Sequence, residues 1–162
     1  MNYKILTESQ FNAFMDKVCL EIPEIGHTAE QKHVFSCYEE AAAALNQGKM
    51  NWPAIVLGAF DGRISSRNDS NTDVKSISFA VLQKAGKEDW AQKITARDLC
   101  HELSMKIVER MYQYHNQREY FQVMELGTAR YFQVSSKLDS SVGYEVTFEA
   151  GSPRAFKNEA PL

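Results

Sequence analysis

Apolar residues recur at Phe11, Phe14, Met15, Val18 and Cys19, a spacing that lays one buried stripe along a helix. Thr7-Glu8-Ser9-Gln10 stands just before that stripe as a capping box, so the pattern predicts a helix that starts there and ends before Pro23. A second box, Thr28-Ala29-Glu30-Gln31, precedes Val34, Phe35, Tyr38, Ala41, Ala42 and Leu45. This predicts a second helix closed by Gly48 in a left-handed turn. The run Ala41 to Ala44 fits high helix propensity.

After Trp52-Pro53 the period changes. Ala54-Ile55-Val56-Leu57-Gly58-Ala59-Phe60 is a short apolar run, and Asp61-Gly62 behind it reads as a hairpin turn. Arg63 to Asp73 is polar and reads as a strand tip followed by an exposed loop. Ile77, Phe79 and Val81 then alternate with Ser76, Ser78 and Ala80 in a strand that runs from Val74 to Leu82. Asp89 opens the longest helical pattern, with Ala96, Leu99, Cys100, Leu103, Ile107, Met111 and Tyr114 on its apolar stripe to about His115. Thr95-Ala96-Arg97-Asp98 offers a second start inside it. Two strands close the chain, Tyr120 to Gln133 with an interruption near Gly127, and Val142 to Phe148 in clean alternation. The expected fold is therefore α+β, an antiparallel or mixed sheet of four to five strands against one long helix, preceded by two N-terminal helices. Residues 1–150 form a single domain in this reading, and residues 151–162, with Pro153 and Pro161, form a flexible tail.

Composition narrows the function. At 162 residues, 44% hydrophobic and 24% charged, the chain is long enough for one real core without covalent staples. No run approaches the ~18 apolar residues of a membrane span, which predicts a soluble protein of the cytoplasm. Eighteen basic against 21 acidic residues argue against a broad phosphate-gripping surface. Cys19, Cys37 and Cys100 make neither a disulfide framework nor a zinc knuckle, and each lies on or beside an apolar helical face.

The catalytic and metal motifs fail one by one. His101-Glu102 opens like H-E-x-x-H, but Met105 stands where the second histidine would be. Asp69-Ser70-Asn71-Thr72-Asp73 has the first spacing of a calcium loop, yet Val74 and Ala80 occupy its glycine and glutamate places. No phosphate loop, nucleophile elbow or catalytic aspartate pair is present. The expectation is no enzyme, no cofactor and no metal. The aromatic residues say more: the stretch Tyr120 to Phe132 has apolar side chains on both faces, as when another subunit covers a second surface. Tyr120, Phe121, Tyr131 and Phe132 are the candidate interface residues.

The succession of Trp52-Pro53-Ala54-Ile55-Val56-Leu57, a polar loop, the strand Val74 to Leu82, a long helix and a closing Tyr144-Glu145-Val146-Thr147-Phe148 resembles the tail-terminator and head–tail joining proteins of phages and prophages. The resemblance covers about residues 49–149. It implies a structural subunit that assembles with copies of itself in a ring of six, contacts tail-tube or connector proteins and lets DNA pass without reading it. It also implies a site in the loop Arg63 to Asp73, where Arg63, Arg67, Asn68, Asp69, Asn71 and Asp73 would dock a partner of the virion. Two other classes stay open on the residues alone. One is a monomeric α+β module that binds a small ligand or protein; the other is an enzyme whose pocket gathers at least two of Cys100, His101, Glu102 and His115.

Overall fold

A computed structural model describes residues 7–67, 70–117, 120 and 123–153. The chain is an α+β protein: helix α1 (Glu8–Leu20), strand β1 (Val34–Phe35), helix α2 (Tyr38–Asn46), strands β2 (Ala54–Arg67) and β3 (Ser70–Gln83), helix α3 (Trp90–Asn116), and strands β4 (Val123–Ser135) and β5 (Val142–Pro153). The sheet order is β1-β2-β3-β5-β4. Only β1, parallel to β2, breaks the antiparallel pattern.

Cross-strand partners share a face, so the register assigns every side chain to one side of the sheet. Ile55, Leu57, Ile77, Phe79, Val81, Val146 and Phe148 face α1 and α3 and join Phe11, Phe14, Met15, Leu103, Ile107 and Met111 in the main core. Ala54, Val56, Ala80 and Leu82 point the other way, beneath α2 and Leu138. The helix α2 covers one end of that second face. The other end, from Asp61 and Ser76 across to Glu149 and Glu125, carries no helix among the described residues.

The capping box at α1 forms fully: Gln10 N–H donates to Thr7 Oγ1, and the Gln10 side chain takes the Thr7 N–H at 3.0 Å. The same pattern at Thr28 does not start a helix. Thr28 Oγ1 accepts from Glu30 and Gln31 N–H, and Thr28 N–H closes on Gln31 O, making a tight turn from which the chain runs out to β1. The second helix begins only after Cys37, where the Glu40 carboxylate reaches back to Ser36 N–H and Oγ. Gly48 closes it at φ +66° as expected.

Three further expectations are corrected. Asp61-Gly62 is no turn; β2 runs through it, paired with Ser76 and Lys75, and Arg67 still pairs with Ser70. Most of the polar segment is thus strand held by the backbone ladder: β5 runs beside it from Val74 to Thr72, and among the described residues it is two-stranded only at its end, where Ser66 and Arg67 pair with Asn71 and Ser70. Thr95 does not interrupt α3, which is one helix of 27 residues capped by Asp89. The segment from Gly151 to Pro153 belongs to β5, paired with Val74 to Thr72, and residues 154–162 of the expected tail lie outside the described residues. The interruption near Gly127 is real. It appears as a register shift between Glu125 and Arg130, where Thr128 Oγ1 donates to Glu125 O and accepts from Glu149 N–H.

Candidate subunit interface

At the far edge of the sheet, β4 leaves one side of its 13-residue backbone without a neighbouring strand among the described residues. Alternation then splits its aromatic pair. Tyr131, opposite Val146, points to the helix side; Phe132, opposite Glu145, points to the other. Both stay in solvent, at 54% and 47% exposure, although β-branched and aromatic residues in a strand normally find a packing partner. Leu126, in the irregular stretch of the same strand, is exposed too. His101 of α3 meets the Tyr131 ring at 5.1 Å and the Tyr144 ring at 5.3 Å, so the Tyr131 ring is steered while its outer face remains free.

Tyr120, which sequence reasoning grouped with these residues, sits inward. Its ring lies 4.4 Å from Phe14 and 5.3 Å from Tyr114, and its hydroxyl accepts from Lys17 Nζ at 3.1 Å. That bond, with the Tyr114 ring under the ammonium, holds Lys17 above the ordinary lysine range. Tyr114 in turn donates to Glu21, so α1, α3 and the lead into β4 are latched together. Phe121 lies outside the described residues.

The docking residues divide similarly. Arg63 is exposed at the sheet surface, 3.5 Å from Glu149. Asp73 is buried and ion-paired with Lys75 at 3.0 Å, so its carboxylate is not presented to a docking partner as the sequence reading expects. Arg67 and Asn71 stand in the paired backbone at the two-stranded end of β2 and β3, and Asn68 and Asp69 lie outside the described residues.

The four groups that an assembled catalytic site would need are not brought together. Cys100 turns into the core with its thiol 3.7 Å from Val142 O, and burial pushes that thiol up to about 12. Glu102 pairs with Lys106 at 3.2 Å on the solvent side. His115 packs on Tyr112, about 21 Å along the helix from His101 at the helical rise. Three surface depressions, of about 520, 470 and 280 Å³, are lined by other residues. Among the described residues no three metal-ligating side chains converge.

One buried polar cluster went unnoticed in the sequence. His27 Nδ1 accepts the His33 N–H at 3.0 Å while Nε2 faces Asp16 at 3.3 Å, and His33 Nδ1 bonds Pro53 O at 2.7 Å. Both His27 nitrogens are therefore committed, and the ring works as a brace between α1 and β1. Burial lowers its pKa against the opposing pull of Asp16. Because the folded value lies below the ordinary 6.5, stability is complete above that pH and falls as acid is added through it. Denaturation midpoints measured from pH 8 to 5 should decline below about 6.5, and His27→Asn, whose side-chain oxygen accepts the same N–H, should flatten that decline.

The N-terminal end of α3 adds an exposed pair that sequence reasoning missed, Trp90 at 70% and Ile94 at 58%, with Lys93 over the indole at 4.4 Å. The signal was there: both residues fall off the apolar stripe Ala96, Cys100, Leu103. No helix among the described residues is long and apolar enough to cross a membrane. Comparison of the chain with protein-family models, with curated proteins and with solved structures gives no match.

Proposed function

We propose that this chain is a structural, non-catalytic subunit of a phage or prophage tail, a tail-terminator or head–tail completion protein that assembles in the cytoplasm as a ring of six copies. The observation that carries the reading is the open edge of β4, with Tyr131 and Phe132 exposed on opposite faces of one strand. An edge of that kind templates pairing with another chain unless it is blunted. Here only the irregular stretch between Glu125 and Arg130 blunts it, leaving Arg130 to Ser135 regular.

The bare end of the sheet fits the same reading. Its described side chains include Asp61, Glu125 and Glu149 against Arg63 and Arg130. A surface so nearly balanced offers no basic patch to hold phosphates, as suits a wall past which DNA slides. In this reading the polar ends of β2 and β3, Gly62 to Arg67 and Ser70 to Val74, would meet a tail-tube or connector protein.

Light scattering over a hundredfold concentration range tests the ring. The wild-type chain should show a mass several times its 18.4 kDa, and Phe132→Lys should weaken assembly by at least about tenfold, since an exposed aromatic at the centre of an interface carries much of its energy. The secondary structure of the subunit, read by circular dichroism, should be unchanged. A monomer at every concentration would favour the binding-module reading instead.

A further inference from the structure

The sheet has a second open edge. β1 pairs only with Ile55 and Val56, so from Leu57 onward the outer side of β2 has no strand beside it among the described residues. On that stretch Ile64 is 52% exposed, a β-branched apolar side chain within an otherwise polar run. Resting on the ring reading above, we infer that the occupant of the β4 edge is the β2 edge of the next copy, so that the sheet continues from subunit to subunit.

Strand direction is the first support. β2 and β5 run one way and β3 and β4 the other. If copies are related by rotation about an axis along the strands, β4 meets the next β2 antiparallel, and the alternation passes across the boundary unbroken. The contact joins two different surfaces, which is the arrangement that closes into a ring.

Register is the second. Tyr131 and Ile64 both lie on the helix side, opposite Val146 and Asp73 within their own subunits, whereas Phe132 and Arg63 lie on the other, opposite Glu145 and Val74. Setting Tyr131 against Ile64 of the neighbour places Phe132 against Arg63, an aromatic on a β-branched residue and a guanidinium on a ring. The regular stretch Arg130 to Ser135 then lies along Ser65 to Phe60, past the bulge between Leu57 and Phe60. Moving the register by two residues one way sets Arg130 opposite Arg63, like charge on like, and by two the other way carries it to the last described position of β2. Setting Arg130 against Asp61 instead drives Val134 and Ser135 onto Leu57 and Val56, across the bulge and onto a residue β1 already pairs.

Cysteine pairing tests this. In a Cys37→Ser background, with Cys19 and Cys100 buried, the variants Ile64→Cys and Tyr131→Cys are made separately, mixed in equal amounts and treated with a short bismaleimide. The mixture should give cross-linked dimers about tenfold above either variant alone, as two facing but different edges require, and a chain carrying both substitutions should give a ladder. Arg63→Cys with Phe132→Cys is the second pair, used if the first disturbs assembly. Cross-linking of Tyr131→Cys with itself would mean that β4 pairs with β4 across a two-fold, and would overturn the inference. Multimers by light scattering without cross-links at either pair would also overturn it while leaving the ring reading intact; a wild-type monomer would remove both.

Discussion

Replacing Gly143 by alanine is expected to cost about 3 kcal/mol of folding stability, the upper end of what overpacking a well-packed interior costs. Gly143 lies in β5 opposite Leu82 of the central strand β3, and a Cβ built on it would come 1.9 Å from Val81 O and 2.9 Å from Val81 C. Those are backbone atoms of the central strand, so no side-chain rotation relieves the contact. The strands must part, and the ladder from Phe79 to Gln83 loosens with them. Urea denaturation of Gly143→Ala against wild type measures this; a midpoint within error of wild type would show that the strands are further apart there than described. Gly58 is a useful contrast. A Cβ there would meet Ser78 Oγ at 2.1 Å, a side-chain atom, but that hydroxyl accepts the Ala59 N–H and so supports the bulge.

Phe14→Ala is expected to destabilise by about 3 to 5 kcal/mol, the usual cost of emptying a buried aromatic site. Phe14 is 1% exposed and faces Tyr114 edge-on at 5.7 Å and Tyr120 at 4.4 Å. The loss therefore reaches beyond one cavity. Without the Phe14 ring, Tyr120 has no floor, and the Lys17 bond that ties it to α1 loses its fixed geometry. Phe14→Leu should recover much of the loss by refilling volume, without restoring the aromatic contacts. Thermal unfolding of the three proteins separates the two contributions. Equal midpoints for wild type and Phe14→Ala would contradict the packing.

The class of fold was legible because its strongest signals were local. Phe11 to Cys19 held a clean helical period with both halves of a cap in reach, and Tyr144 to Phe148 alternated without exception. The misread segments had local signals that a distant partner overrode. Thr28-Ala29-Glu30-Gln31 has a cap's spelling, but His33 is claimed by His27 and Pro53 and Val34 by Ile55, so a helix there would cost that buried brace. Asp61-Gly62 has a turn's spelling, but β3 offers Ser76 and Lys75 as ladder partners and the strand goes on. Arg63 to Arg67 lacked apolar alternation: Ile64 stands alone among polar residues, and both it and Arg63 are exposed, so there is no hydrophobic period to read.

The candidate interface was half legible. Tyr131 and Phe132 stood out as consecutive aromatics, which an alternating strand must split between faces. That Tyr120 would turn inward depended on Lys17, a hundred positions away in the chain and visible only once α1 and α3 are packed. Ile64 as an exposed residue depended on β1 stopping after two residues, which no local pattern announces.

The brevity of β1 also bears on the order in which the chain folds. The β2–β3 and β4–β5 pairs are hairpins between neighbouring segments, the kind of contact that forms within microseconds because little chain entropy is lost in closing it. The parallel seam of Val34 with Ile55 and Phe35 with Val56 is instead joined through the α2 crossover, so closing it costs more chain entropy. A subunit caught early would carry its main hairpins but an undocked N-terminal third, with more of the outer side of β2 uncovered than in the finished protein.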